Sequence, residues 1–302
     1  MTSEREPEPA QPEPGTWVPE EPDEPEARSR YDLMAEGYAR WWGPVIRPGA
    51  IKVLDAIAPE VETVLDDGRE PRLLDVGSGT GALAVAALER WPALRVTGID
   101  ASGGMLEVAH RAANESLPAG RAERFETVVA YADDLPFDPG SFDLAVSSFV
   151  LQLVPNRAAA LRETQRVLRP GGAFAWVAWQ RSERPYAPDR IANEVLDDFG
   201  FDPPDADSWC GDVASPAAAA LAMRRAEFRD VRAWLGEVAH PWDASGYLDF
   251  LTQFDEESLF AELEPAERGD IERTIVERIG RLTPEELTLR LPTVYAMGRA
   301  RG

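Results

Sequence analysis

Cysteine, histidine and lysine are nearly missing from this chain of 302 residues: it has Cys210, His110 and His240, and Lys52. A lone cysteine excludes an intramolecular disulfide framework and a multi-cysteine metal site. Two histidines exclude a histidine-rich metal centre. The lone lysine falls in an amphipathic stretch away from any motif, which argues against Schiff-base chemistry. Long apolar runs are missing too, none approaching the ~20 residues of a membrane span. The N-terminus lacks the basic and apolar segments of a secretory signal. Positive charge is short: 31 Lys and Arg stand against 54 Asp and Glu, a net charge of −23. Such a surface repels phosphate backbones, and no arginine cluster in the sequence advertises a basic groove. These absences predict a soluble, cytoplasmic protein that handles a small-molecule substrate, with no nucleic acid and no membrane span.

The length suits one large α/β domain with insertions or two small domains, and 44% hydrophobic content supplies a core. Its most informative stretch is Leu73 to Gly81, Leu-Leu-Asp-Val-Gly-Ser-Gly-Thr-Gly, followed by a helix-forming run from Ala82. A buried strand, a tight turn and a helix N-terminus are the reading of that order. Glycines at 77, 79 and 81 let backbone approach a ligand, and Asp75 offers a carboxylate acceptor beside them. Gly77-x-Gly79-x-x-Ala82 also satisfies a dinucleotide fingerprint, with Asp100 as the ribose acid, so a nicotinamide cofactor competes at this point. So does a purely structural turn.

Residues 1–27 hold nine acids against Arg5 and many prolines, a composition that predicts a disordered tail; its one apolar spot is Trp17-Val18. The tail carries −8 and leaves −15 for the domain over 28–302. Tyr31 to Trp42 reads as a helix with Leu33, Met34, Tyr38, Trp41 and Trp42 near one face, broken at Pro44 and Pro48. A second helix spans roughly Gly49 to Ile57. Together, 29–60 are expected to cap a ligand site or to pack on the sheet edge. Further strands are expected over 94–100, 125–131, 142–149, 173–179, 231–238 and 287–297. Helices intervene, and Pro170-Gly171 suits a type II turn. Near-continuous apolar strands alternating with helices predict a doubly wound, mostly parallel sheet. Ligands bind such sheets beyond the strands' carboxyl ends, where Gly77, Asp100, Ala132-Asp133 and Ser148 fall. Residues 180–215 and 243–283 read as insertions around those ends, hence lids.

Five linked motifs narrow the class. They are the glycine run, Gly98-Ile99-Asp100-Ala101-Ser102 with Met105-Leu106, Asp133 to Phe137, Ser141-Phe142-Asp143, and Arg166 to Gly172. Together they resemble class I S-adenosylmethionine-dependent methyltransferases of the ubiquinone/menaquinone-methyltransferase-like, small-molecule branch. The resemblance implies a Rossmann-like α/β fold of seven strands with the last antiparallel, and S-adenosyl-L-methionine in place of a nicotinamide. It places Asp75, Gly77, Ser78, Gly79 and Gly81 at the methionine portion, Asp100 on the ribose hydroxyls, and Ala101, Ser102 and Met105 towards the adenosine. The N–H of Ala132 reaches a ring nitrogen, and Ser147-Ser148 line the sulfonium region. One departure stands out. The family often has an aspartate where this chain has Tyr131, so Asp133 or a stacked Tyr131 takes the adenine contact.

Methyl transfer needs alignment and exclusion of water and no nucleophilic side chain. For a hydroxyl or acidic-carbon acceptor, a base helps. Tyr31, Tyr38 and His240 are the candidates, with Gln152 as a positioning group; His240 also reads as a surface-turn residue and His110 as solvated. Trp176 reads as core, Trp179 as the tryptophan closer to a ligand, and Tyr186 and Trp209 as walls of an apolar acceptor pocket. The expected activity is methylation of a small aromatic or otherwise apolar acceptor; a cofactor-binding protein without methyl transfer is the alternative.

Overall fold

The computed structural model describes residues 24–181, 186–201 and 213–301. Residues 1–23, with Trp17-Val18, lie outside it, as do 182–185 and 202–212 with Trp209 and Cys210. In chain order the elements are α1 (Glu24–Gly37), a π-helical segment (Tyr38–Trp42), α2 (Gly43–Asp66), β1 (Arg72–Val76), α3 (Ala82–Arg90), β2 (Arg95–Asp100) and α4 (Gly103–Ser116). Then come α5 (Ala119–Ala122), β3 (Phe125–Val129), β4 (Phe142–Ser148), α6 (Arg157–Val167), β5 (Leu168–Trp179), α7 (Ala187–Asp198), α8 (Pro216–Arg225) and β6 (Arg229–Pro241). The last are α9 (Ala244–Phe250), a second π-helical segment (Leu251–Asp255), α10 (Glu257–Glu262), α11 (Pro265–Ile279) and β7 (Thr288–Arg299).

All seven strands form one sheet in the order β3-β2-β1-β4-β5-β7-β6. Strands β1 to β5 pair in parallel, and β7 runs antiparallel between β5 and β6. Adjacent residues serve opposite faces, as pleating requires. Leu73 joins the core formed with α2, α3 and α4, while Leu74 joins the core formed with α6 and α8. This explains why β1 and β4 carry apolar residues at adjacent positions instead of alternating ones. A third core is built by the two insertions together. Ile191 and Val195 of α7 pack with Tyr247 and Phe250 of α9 and with Ile271, Ile275 and Ile279 of α11. Neither insertion closes a core alone.

Several boundaries move. The expected break at Pro44 and Pro48 is not there: α2 runs through both and continues past Ile57 to Asp66. Pro44 sits in the first turn, where a missing N–H costs no helical bond. Pro48 is exposed, and buried Val45, Ile46, Val53, Leu54, Ile57 and Val61 hold the rod to the sheet despite it. On α1, Leu33 is 85% exposed and not on the buried face; Ala35, Tyr31, Tyr38 and Ala39 form that face against Met105 and Val108. Strand β3 ends at Val129, because Tyr131 turns back to bridge Asp134. The expected turn at Pro170-Gly171 lies inside β5, which already starts at Leu168; Gly171 makes it at φ +79°.

The glycine loop shows what its residues are for. A Cβ on Gly81 (φ +80°) would stand 2.8 Å from Ala109 Cβ, so this glycine lets α3 close on α4. A Cβ on Gly77 (φ +71°) would meet the Val150 side chain at 2.3 Å, and one on Gly98 would meet Ser78 Oγ at 2.7 Å. Only Gly79 of the three loop glycines faces open space. Gly81→Ala therefore combines left-handed strain with overpacking and is expected to cost about 2–4 kcal/mol. Gly79→Ala meets the strain alone, about 1–2 kcal/mol. Urea unfolding of both variants measures the gap; equal losses would contradict this assignment.

Candidate cofactor and acceptor site

The carboxyl ends of β1 and β2 bring two acids to one loop. Asp75, 1% exposed, accepts the Ser78 hydroxyl on Oδ2 at 2.9 Å, and its Oδ1 has no partner among the described residues. Burial pushes its carboxyl up to about 7, with the Asp100 charge adding to the rise. Asp100 accepts the Gly79 N–H on Oδ2 at 2.9 Å and the Ser102 N–H on Oδ1 at 3.0 Å. Burial raises Asp100 too, and these backbone donors oppose the rise. One carboxylate thus spans the β1–α3 and β2–α4 loops and keeps lone pairs for a ligand's hydroxyls.

The N-terminal helix reaches the same place. Asp32 Oδ1 on α1 accepts the Ser102 hydroxyl at 2.5 Å and the Gly104 N–H at 2.9 Å. Ser102 Oγ in turn accepts the Met105 N–H at 3.0 Å as the N-cap of α4. Asp32, absent from the sequence reading, is therefore part of this site; its partners are 70 and 72 residues away, so no local motif reveals it. An ion pair between Glu36 and Arg111 holds the next turn. The Tyr38 phenol lies within electrostatic reach of Tyr31 and Asp100, and burial with these neighbours raises its pKa. Burial of Met105 and Val108 beneath Ala35 completes the junction.

Of the other expected residues, Ala101 and Asp133 are half-buried, Ala132 is buried at 8% exposure, and Tyr131 is exposed at its turn. Ser148 is half-buried at the end of β4, whereas the Ser147 hydroxyl donates to the Val76 carbonyl at 2.8 Å and ties β4 to β1. Gln152 is buried, and its Oε1 has no partner among the described residues. Between Ser148 and Gln152 the chain turns sharply: Phe149 has φ +57°, and Val150 covers Gly77. A bulky residue in the left-handed region marks stored strain beside a site.

An aromatic wall stands next to this turn. Phe149 stacks on Trp179 at 4.0 Å, Trp42 meets Trp179 edge-on at 6.3 Å, and Trp42 stacks on Phe250 at 5.9 Å. Trp242 packs on Phe250 at 5.3 Å, and His240 lies edge-on to Trp242 at 4.4 Å. Partial burial lowers the His240 pKa, so the ring is neutral at pH 7. His240 thus sits beside Trp242, whereas Tyr38, next to Tyr31 and Asp100, meets Phe254 of the second insertion edge-on at 6.3 Å. Tyr186 belongs to the wall's outer side, donating to the Leu287 carbonyl at 2.7 Å. Trp176 is core, 1% exposed.

The family model for the methyltransferase domain matches residues 74–176, from β1 through β5. Residues 74–176 thus match a methyltransferase domain. Curated relatives of this methyltransferase domain include a ubiquinone/menaquinone biosynthesis C-methyltransferase of Brucella anthropi, 36% identical over 42% of this chain and 46% of that protein. Another is a malonyl-(acyl-carrier protein) O-methyltransferase of Geobacter sulfurreducens, 40% identical over 36% of this chain and 39% of that protein. The chain thus spans less than half the length of these relatives. The crystal structure of the YcgJ protein from Bacillus subtilis superposes with a TM-score of 0.50 over 77% of this chain and 93% of its own, at 21% identity, which shows the shared fold.

The methyltransferase domain's buried Asp75 has a signature of its own. Its folded carboxyl titrates above the ordinary value near 4, so the folded state holds the proton that the unfolded state releases. Stability is then lost as pH rises from about 4 to about 7, on the order of 1–4 kcal/mol at ~1.4 kcal/mol per unit. Asp75→Asn should remove that slope. Urea midpoints at pH 5 and pH 8 are expected to diverge more for the wild type than for the variant; parallel slopes would refute the buried, proton-holding Asp75.

Proposed function

We propose that the chain transfers the methyl group of S-adenosylmethionine to a small aromatic or otherwise apolar acceptor by in-line displacement. The carrying observation is the pairing of Asp75, Asp100 and the open space over Gly79 with an aromatic wall across the Phe149–Gln152 turn. Two features fit the cofactor: the unpartnered Asp75 Oδ1, an acceptor suited to a cationic group, and the open space over Gly79. When bound, the cofactor supplies an electrophilic methyl on a positively charged sulfur.

The chain's own residues have four tasks. Asp75 and the loop N–H groups bind the amino-acid portion, and gaining a cation beside Asp75 favours its ionised form. Asp100 receives the ribose hydroxyls, Ala101, Met105 and Ala132 border the adenine, and Asp133 is the acid nearest the missing family aspartate. Ser148 and Gln152 border the reacting end. Trp42, Trp179 and Phe250 provide the apolar surface that desolvates an acceptor and positions it. The segment 29–60 serves as the cap and the two insertions as the lid, consistent with Asp32 holding α1 to Ser102 and with the third core. Tyr38, its phenol kept protonated, donates hydrogen bonds and does not take a proton. His240, held neutral, is the better base for an acceptor with an acidic proton, and Tyr31 is a hydrogen-bonding neighbour of Tyr38's side of the site.

Incubation with labelled S-adenosylmethionine and a panel of phenols, carboxylic acids and activated-carbon acceptors tests the proposal, since the relatives' names include both C- and O-methyltransferases. Label is expected on an apolar member of the panel; absence of calorimetric binding of the cofactor would end the reading. Asp100→Ala removes a charged acceptor worth about 1.5–3 kcal/mol. S-adenosylhomocysteine affinity should fall by roughly 10- to 150-fold, and an unchanged dissociation constant would show that the ribose lies elsewhere.

A further inference from the structure

The sequence shows no arginine cluster, but the fold assembles one. Two hollows flank the last turn of α8. The first, of about 200 Å³, lies between α6 and α8, floored by Ala158, Leu161, Ala222 and Ala226 and rimmed by Arg157, Arg162 and Arg225. The second, of about 660 Å³, lies at the foot of β6 and β7 and is lined by Arg224, Arg232 and Arg299 with Asp230. Six arginines thus surround one helix end in a chain of net charge −23.

The two hollows differ in how that charge is answered. In the second, Arg299 pairs with Glu60 at 2.5 Å and Asp230 contributes a carboxylate to the wall. Among the described residues the first has no acid in its lining. Neither Arg162 nor Arg225 takes part in an ion pair among the described residues. Arg224 and Arg225 suit the negative end of the α8 dipole, which is a structural reason for their presence. Arg157 stands at the start of α6, on the opposite side of the hollow. Its Nε donates to the Leu151 carbonyl at 2.7 Å, which fixes it at the rim. Leu221, 47% exposed and one turn before Arg225 on the same side of α8, extends the apolar floor outward.

We propose that the α6–α8 hollow binds an amphiphilic oxyanion, a phosphate or carboxylate head on a short hydrocarbon body. Guanidinium forks match the oxygens of such a head, and the alanine and leucine floor matches its body. A simple anion would leave that floor wetted, and a neutral hydrocarbon would leave Arg162 and Arg225 unmatched.

Calorimetric titration of the full chain with octyl phosphate, inorganic phosphate and octanol tests this. Octyl phosphate is expected to bind saturably and at least tenfold more tightly than either partial ligand. The R162A/R225A variant, changed at two exposed positions, should lose at least tenfold while keeping its melting temperature and its S-adenosylhomocysteine affinity. Co-sedimentation with phosphatidylglycerol vesicles separates the sources: arginine-dependent sedimentation assigns the head to a lipid, and octyl phosphate binding without sedimentation assigns it to a free metabolite. No saturable octyl phosphate binding, or equal binding by the variant, overturns the proposal.

Discussion

A single carboxylate, Asp100, sets the geometry of the methyltransferase domain's upper end. By accepting from Gly79 at 2.9 Å and from Ser102 at 3.0 Å it fixes two loops against each other. Each donor is a backbone N–H near a helix start, a group that would otherwise go unsatisfied. Through Ser102 the connection extends to Asp32, so α1, α4 and the glycine loop share one hydrogen-bonded chain. The raised pKa of Asp100 shows the tension in this arrangement: burial disfavours the charge that the amides need. Backbone donors and a future ligand's hydroxyls act on the same atoms, so loop order and ligand binding draw on one source.

The acceptor side follows a different logic. It depends on packing between parts distant in sequence, with Trp42 touching both Trp179 at the sheet end and Phe250 of the second insertion. The insertions are individually polar and short of core, and they become a folded layer only by sharing one. A site placed between that layer and the sheet inherits a wall whose shape is set jointly by α2, β5 and α9. Strain at Phe149 is held there by its stack on Trp179 and by its N–H bond to the Val177 carbonyl at 2.8 Å.

The loops that bring Asp75 and Asp100 together were legible because their signals are local. A glycine cluster after an apolar run, and an acid at the end of the next strand, each lie within a few residues of their partners. The count of seven strands followed from the family resemblance, and the antiparallel β7 appeared where expected. What escaped was non-local or conformational. Asp32 is an ordinary exposed-helix acid until α4 is placed beside it. The prolines of α2 gave a true local signal that tertiary burial overrode. Gly77 and Gly81 also answer to packing, since a Cβ at either would meet Val150 or Ala109, and only the three-dimensional neighbours reveal that demand. The α6–α8 arginines lie in two stretches some sixty residues apart and form a group only once the helices touch.

The π-helical segment between α1 and α2 has a consequence for how variation in this region is tolerated. Gly43 N–H bonds back to the Tyr38 carbonyl, so this turn holds one residue more than an α-helical turn would. Deleting one residue within that turn would return it to an α-helical turn, with the helix on either side keeping its phase. A one-residue deletion inside α1, between Asp32 and Gly37, would instead rotate Asp32 by about 100° and swing its carboxylate off the start of α4. The wide turn thus acts as a slack link at which a change of length leaves the entrance helix in step.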